Sequence, residues 1–137
     1  MYPEELIAPM RNDLTQVGFK ELRTAEAVNV AVKNNPGTTL VMINSVCGCA
    51  AANARPAVKM AIQNSKKPDL ITTAFAGNDV DAVNQARAMM APYPPSSPSI
   101  ALFKNGELVH MIERHHIEGR PAQMIAENLI NAFEEYC

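Results

Sequence analysis

The chain has 137 residues, with 12 Lys plus Arg against 14 Asp plus Glu, three Cys, eight Met, no Trp and a 47% apolar fraction. A chain of this size suits one domain around one hydrophobic core, so folding requires neither a disulfide framework nor a structural metal. The formal net charge of −2 is spread along the sequence and no basic run exceeds Lys66-Lys67, so the electrostatic footprint of a nucleic-acid binder is missing.

Glu4 and Glu5 stand where a secretory signal would carry positive charge, and no apolar stretch follows them, so a cytoplasmic location is expected. Residues 3–13 read as a short helix with Pro3 in its first turn and Leu6, Ile7 and Met10 on one side, an extension spanning residues 1–18. Phe19 to Arg23 permits a short edge strand. Thr24 caps a helix through Ala27, Val28, Val30, Ala31 and Val32 that stops at Asn34-Asn35-Pro36-Gly37. Thr38 to Val46 is β-branched and aliphatic at consecutive positions, the pattern of a strand buried on both faces. Its aliphatic run, Leu40 to Ile43, is too short for a membrane span.

From Ala50 a helix runs to about Asn64, with Pro56 either opening a turn or bending one. Leu70 to Phe75 is a second buried strand, and strand–helix–strand implies a parallel crossover. Asn78 or Asp79 caps a helix that turns Val80, Val83, Ala86 and Met90 inward before Ala91-Pro92. Ser99 to Phe103 and Leu108 to Ile112 flank Asn105-Gly106, a strong hairpin signal. Pro121 to Tyr136 closes the chain as an amphipathic helix with Ile125, Leu129, Ala132, Phe133 and Tyr136 inward. These elements make one α/β domain, residues 1–137, with a central mixed sheet flanked by helices.

Chemistry concentrates in Val46-Cys47-Gly48-Cys49-Ala50, where a thiol pair stands between a buried strand and a helix start. The unpaired amides and partial positive charge of a first helical turn favour thiolate, the form that attacks disulfides. Cys47, nearer the strand and expected to be the more exposed, is the candidate nucleophile, and Cys49 the resolving thiol. Gly48 removes a side chain that would crowd an incoming disulfide and allows tight backbone angles. One intervening residue closes a small ring, which favours a mild oxidant or exchange catalyst. Leu40 to Val46 offers only Asn44 and Ser45 as polar groups, so a carboxylate base of the strongly reducing kind is absent there.

Soft-metal carriage is the rival: two thiolates hold Cu(I) linearly, whereas tetrahedral zinc needs two further ligands. His115 and His116 are the remaining candidates, but neighbours in a strand point to opposite faces, so they read as a solvated strand end and no metal ligand is assigned. A redox-inactive adaptor is a third alternative. Cys137 reads equally as an exposed tail thiol or as a third redox thiol that swings toward the pair. Arg55 is either an anchor for an anionic substrate group near the helix start or a solvated surface residue.

With a cysteine motif after a buried strand and a proline before the Ser99–Val109 hairpin, the second half resembles the thioredoxin fold. The resemblance implies that Ser97-Pro98 is a cis bond lying against the cysteine pair and shaping the substrate edge. The sequence departs from ordinary thioredoxins in its single intervening residue, in lacking Trp before the pair, and in placing apolar Val41 where their buried acid falls. Tyr2-Pro3-Glu4-Glu5, Gly18-Phe19-Lys20-Glu21-Leu22-Arg23-Thr24, Asn44 to Ala51 and Ala54-Arg55-Pro56-Ala57 together resemble the bacilliredoxins, thioredoxin-like proteins with a Cys-Gly-Cys or similar motif. That resemblance covers nearly the whole chain. It implies removal of bacillithiol, a low-molecular-weight thiol, from protein mixed disulfides, with weak disulfide isomerase or reductase activity. In it Cys47 accepts the bacillithiol group and Cys49 resolves; a terminal cysteine such as Cys137 also resembles what some members carry. The implied partners are bacillithiolated or disulfide-bonded proteins and the small thiol as co-substrate, with a flavin-dependent disulfide reductase as candidate reductant and no bound cofactor.

Overall fold

The computed structural model describes residues 1–137. Five strands form one sheet in the order β1-β3-β2-β4-β5: β1 (Lys20–Glu21), β2 (Thr38–Asn44), β3 (Leu70–Phe75), β4 (Ser99–Lys104) and β5 (Glu107–Ile112). β3 runs parallel to both β1 and β2, while β4 is antiparallel to β2 and to β5. All seven residues of β2 are buried, as its unbroken apolar pattern predicts. The strand ends at Asn44 rather than Val46 because the Asn44 side chain takes over the next amide, with Oδ1 accepting from Ser45 N at 2.9 Å.

The period-two alternation of β2 and β4 divides the core. Leu40, Met42, Ile100 and Leu102 face one side, covered by α3 (Arg55–Ala61) and α5 (Ala122–Tyr136). Val41, Ile43, Ala101 and Phe103 face the other, covered by α2 (Ala25–Val28), its continuation Asn29–Lys33, and α4 (Val80–Met89). In α5 the expected stripe is buried at Ile125, Leu129, Ala132 and Phe133, with Tyr136 half-buried. The hairpin turns at Asn105 (φ 52°) and Gly106 (φ 77°), both left-handed as the Asn-Gly pair predicts. Thr24 caps α2 by accepting from Ala27 N at 3.0 Å. Beyond Val28 the helix widens into a π turn, Asn29–Lys33, and Val30 is exposed.

Two sequence expectations change around the pair of Arg11 and Asp79. α1 (Glu4–Thr15) buries Ile7, Arg11 and Leu14, not Leu6, which is exposed. At the other end of the interaction, Asp79 stands at the start of α4 without capping it. Its carboxylate turns inward instead, accepting from both Arg11 Nη atoms at 2.8 and 2.9 Å and from Phe75 N at 2.9 Å. Val80 is exposed, while Ala82, Val83 and Ala86 form the buried face, with Met90 buried just after the helix.

Register fixes which groups meet. Asn44 pairs with Phe75, Ile43 with Ser99, and Ile100 with Ile112. The ends of β2, β3 and β5 and the start of β4 therefore share one end of the sheet. α1 lies across that end, where Asn44 Nδ2 donates to Met10 O at 3.1 Å.

Candidate active site

The cysteine loop is built directly on the end of β2. Ser45 Oγ accepts from Cys47 N at 3.1 Å, and Cys47 O accepts from Ala50 N and Ala51 N at 3.1 and 3.3 Å, so the helical turn begins at Cys47. The chain then widens into a π turn, Ala50–Ala54, and tightens into α3 with Pro56 in its first turn. A ring lacking an N–H is tolerated at that position. Cys47 and Cys49 are joined as a disulfide with Cα atoms 5.4 Å apart. Both are half-buried, so exposure does not single out Cys47 as the sequence reading expected.

Gly48 lies exposed between them with an ordinary backbone, not the left-handed one a tight turn would demand. A Cβ there would meet nothing within 4 Å. The space over Gly48 is open to whatever approaches the pair.

Across the same end of the sheet, Ser97–Pro98 is cis, as is Ala91–Pro92. Pro98 immediately precedes Ser99, which pairs with Ile43 near the end of β2. Arg114 ties this loop to the end of β5: its amide donates to Ser96 Oγ at 3.4 Å and Nη1 to Ser97 O at 3.3 Å. Sequence patterning gave no signal for Arg114, because its partners lie on another strand's approach loop.

His115 and His116 are not a strand end. β5 stops at Ile112, and both histidines sit in a 3-10 turn, Arg114–His116, with ring centroids 4.0 Å apart. Glu113, His115 and His116 are the one group of three or more His, Cys, Asp or Glu ligand atoms that converge, and neither Cys47 nor Cys49 belongs to it. His116 Nδ1 accepts from Glu113 N at 3.1 Å, which fixes the ring proton on Nε2 in the neutral tautomer. The histidines thus converge with Glu113 and not with the cysteine pair, and two thiolates by themselves suit linear and not tetrahedral coordination.

Arg55 is neither a surface residue nor turned toward solvent at the helix start. It is 6% exposed, and Nη1 donates to Asn44 Oδ1 and to Ser45 O, each at 3.0 Å. Asp13 Oδ2 lies 3.4 Å from its Nε. Desolvation lowers the Arg55 pKa and Asp13 opposes that change.

Cys137 is exposed at the opposite end of the sheet, its thiol beside Thr38, the first residue of β2. Desolvation there pushes the thiol pKa up; the Thr38 hydroxyl and Lys104 and Lys66 oppose the shift, and Asp69 adds to it. The length of β2, about 20 Å at ~3.3 Å per residue, separates Cys137 from the pair within one chain. In this arrangement the thiol and the pair stand at opposite ends of β2.

Comparisons with known proteins agree with this architecture. Residues 2–137 match the model of the disulphide isomerase family. The chain is 56% identical over 135 residues to a bacilliredoxin of Cytophaga hutchinsonii, covering 98% of this chain and 99% of that one. It is 49% identical over 137 residues to a bacilliredoxin of Koribacter versatilis, covering 100% and 94%. Among solved structures, mitochondrial thioredoxin 3 of Saccharomyces cerevisiae in its oxidized form superposes with a TM-score of 0.61 at 15% identity, covering 90% of this chain and 98% of that one. Fasciola hepatica thioredoxin gives 0.61 at 13% identity, covering 87% and 100%. The fold is therefore the thioredoxin fold. No helix is long and apolar enough to cross a membrane.

Proposed function

The chain belongs to the disulphide isomerase family, alongside the bacilliredoxins, and from that premise we propose that it strips bacillithiol from protein mixed disulfides through Cys47, with Cys49 resolving. Thiol–disulfide exchange is the chemistry of the family, and the protein is a thiol–disulfide oxidoreductase. The observation that carries the assignment of the pair is the bonded Cys47–Cys49 at a helix start, beneath an open Gly48 and at the sheet end where Pro98 leads into β4, and the bacilliredoxin relatives support the choice of bacillithiol.

In the first step the Cys47 thiolate attacks the bacillithiol sulfur of a protein mixed disulfide. A Cys47–bacillithiol disulfide forms, the old S–S bond breaks, and the protein thiolate leaves and takes a proton. In the second step the Cys49 thiolate attacks Cys47 Sγ, releasing free bacillithiol and forming the Cys47–Cys49 disulfide. Two electrons from an external dithiol or a flavin-dependent disulfide reductase then restore both thiols. The same exchange on disulfide-bonded proteins supplies weak isomerase and reductase activity. We place this cycle in the cytoplasm, with no bound cofactor. Ser97 and Pro98 shape the edge along which an extended substrate lies, and Gly48 leaves room for it.

Two variants test the assignment. Cys49→Ser should accumulate a bacillithiol adduct on Cys47 visible by mass spectrometry, and Cys47→Ser should release no bacillithiol from a bacillithiolated protein. Undiminished release by Cys47→Ser refutes the nucleophile. Equal release rates from bacillithiolated and glutathionylated forms of one substrate refute the specificity for bacillithiol.

A further inference from the structure

The polar groups behind the cysteine loop form a connected buried path. Arg55 reaches Asn44 Oδ1 and Ser45 O; Asn44 Oδ1 also accepts from Ser45 N, and Ser45 Oγ accepts from Cys47 N. A guanidinium that is 6% exposed thus stands two hydrogen bonds from the Cys47 backbone. Its anionic neighbour, Asp13, is shared with Lys59, whose Nζ lies 2.6 Å from Asp13 Oδ1. The group of Asp13, Arg55 and Lys59 therefore carries one net positive charge at neutral pH.

Val41 and Ile43 are fully buried and apolar, and Asp79, at the start of α4, is held by Arg11. Glu4, Glu21 and Arg23 gather around Arg11 and Asp79, and the segment after β5 carries Arg114, His115, His116 and Arg120 with Glu113 and Glu118 paired within it. The position of the thioredoxin acid is held by apolar Val41, and the buried charge nearest the loop along these hydrogen bonds is the Arg55 guanidinium.

We propose that Arg55 is a positioning residue for the exchange reaction: it pins the Asn44–Cys47 loop and biases Cys47 toward thiolate by its charge, while Asp13 moderates that bias. The assignment rests on Cys47 being the attacking thiol. A buried cation joined by hydrogen bonds to the segment that carries a thiol favours the thiolate, and the opposite charge of Asp13 subtracts from it. Arg55 touches neither substrate nor sulfur in this arrangement; it acts through Ser45 and through the field.

The test reads the pH dependence of Cys47 alkylation by iodoacetamide in a Cys49→Ser, Cys137→Ser background, where a single thiol remains. Arg55→Met should raise the alkylation midpoint by about one pH unit, with the rate at a pH well below both midpoints falling about tenfold. Arg55→Lys should restore most of the shift. Asp13→Asn should move the midpoint the other way, downward, because it removes the opposing charge. Opposite signs for Arg55→Met and Asp13→Asn support the electrostatic role. Shifts of the same sign, or an unmoved midpoint in both, overturn it, since a purely packing role would not know the sign of the charge. Where Arg55→Met melts below the assay temperature, Arg55→Lys and Asp13→Asn decide the question by themselves. A background midpoint near that of a free thiol, about 8.5, would instead count against Cys47 as the activated nucleophile.

Discussion

Arg11→Met should be among the most damaging substitutions in this chain outside the apolar core. The Arg11 and Asp79 side chains are 8% and 4% exposed, and they bind through two parallel hydrogen bonds of 2.8 and 2.9 Å. Arg11 also meets Glu4 and Glu21 at 3.1 Å each and lies 5.4 Å over the Phe75 ring. Met fills much of the aliphatic volume but leaves Asp79 a buried carboxylate with the Phe75 amide and Arg23 Nε, 3.9 Å away, as its remaining partners. Removing one member of such a pair costs about 3 kcal/mol. At about 2.1 cal/mol/K of unfolding entropy per residue, a chain of 137 residues loses about 10 °C in Tm.

The double substitution Arg11→Met, Asp79→Leu should lose much less than the sum of the single losses, because no charge is left buried. Urea unfolding of the oxidised proteins at pH 7 measures all three. Burial by itself would raise the Asp79 pKa, but the Arg11 hydrogen bonds, the Phe75 amide and the charges of Arg11 and Arg23 outweigh it and hold the carboxyl below its ordinary value. Its stabilisation is therefore complete above the unfolded value of about 3.9 and is lost as pH falls through the lower folded value. The stability gap between the parent and Asp79→Asn should narrow as pH drops below about 4. A loss under about 1 kcal/mol for Arg11→Met, set against the range for broken buried pairs, or additivity in the double variant, would refute the reasoning.

Glycine replacements separate backbone demands from open space. Gly106→Ala should cost about 2 kcal/mol in urea unfolding, because its φ is +77° and the new Cβ would sit 2.8 Å from Lys33 O. Gly119→Ala shares a left-handed φ of +76° but meets nothing within 4 Å, so the cost there should be about 1 kcal/mol. Gly48→Ala should leave the melting temperature unchanged, since its backbone is ordinary and its surroundings empty, while slowing exchange with a protein disulfide more than with a small-molecule disulfide. A large loss of stability in Gly48→Ala would show that the glycine serves the fold instead of the approaching substrate.

Local patterns carried much of the fold. The unbroken apolar run of β2, the Asn-Gly hairpin, the Thr24 cap and the inward stripe of α5 all stand where short-range chemistry placed them. The thiol pair between strand and helix was equally legible, because a strand-to-helix junction and a doublet of cysteines are both features of adjacent residues.

Amino-acid order alone determined the main helices and strands, their sequence along the chain and the chemistry of the thiol motif, since propensity, periodicity and turn preference act over a few neighbouring residues. Tertiary structure alone decided the partners across long separations. It joined Arg11 to Asp79 across 68 positions and turned Arg55 under the cysteine loop instead of out to solvent. It also set Pro98 at the same sheet end as the cysteine pair while leaving Cys137 a strand's length away. Those meetings follow from sheet register and from the cost of leaving a charge unpaired in an apolar interior, and neither has a signature within any short stretch of residues.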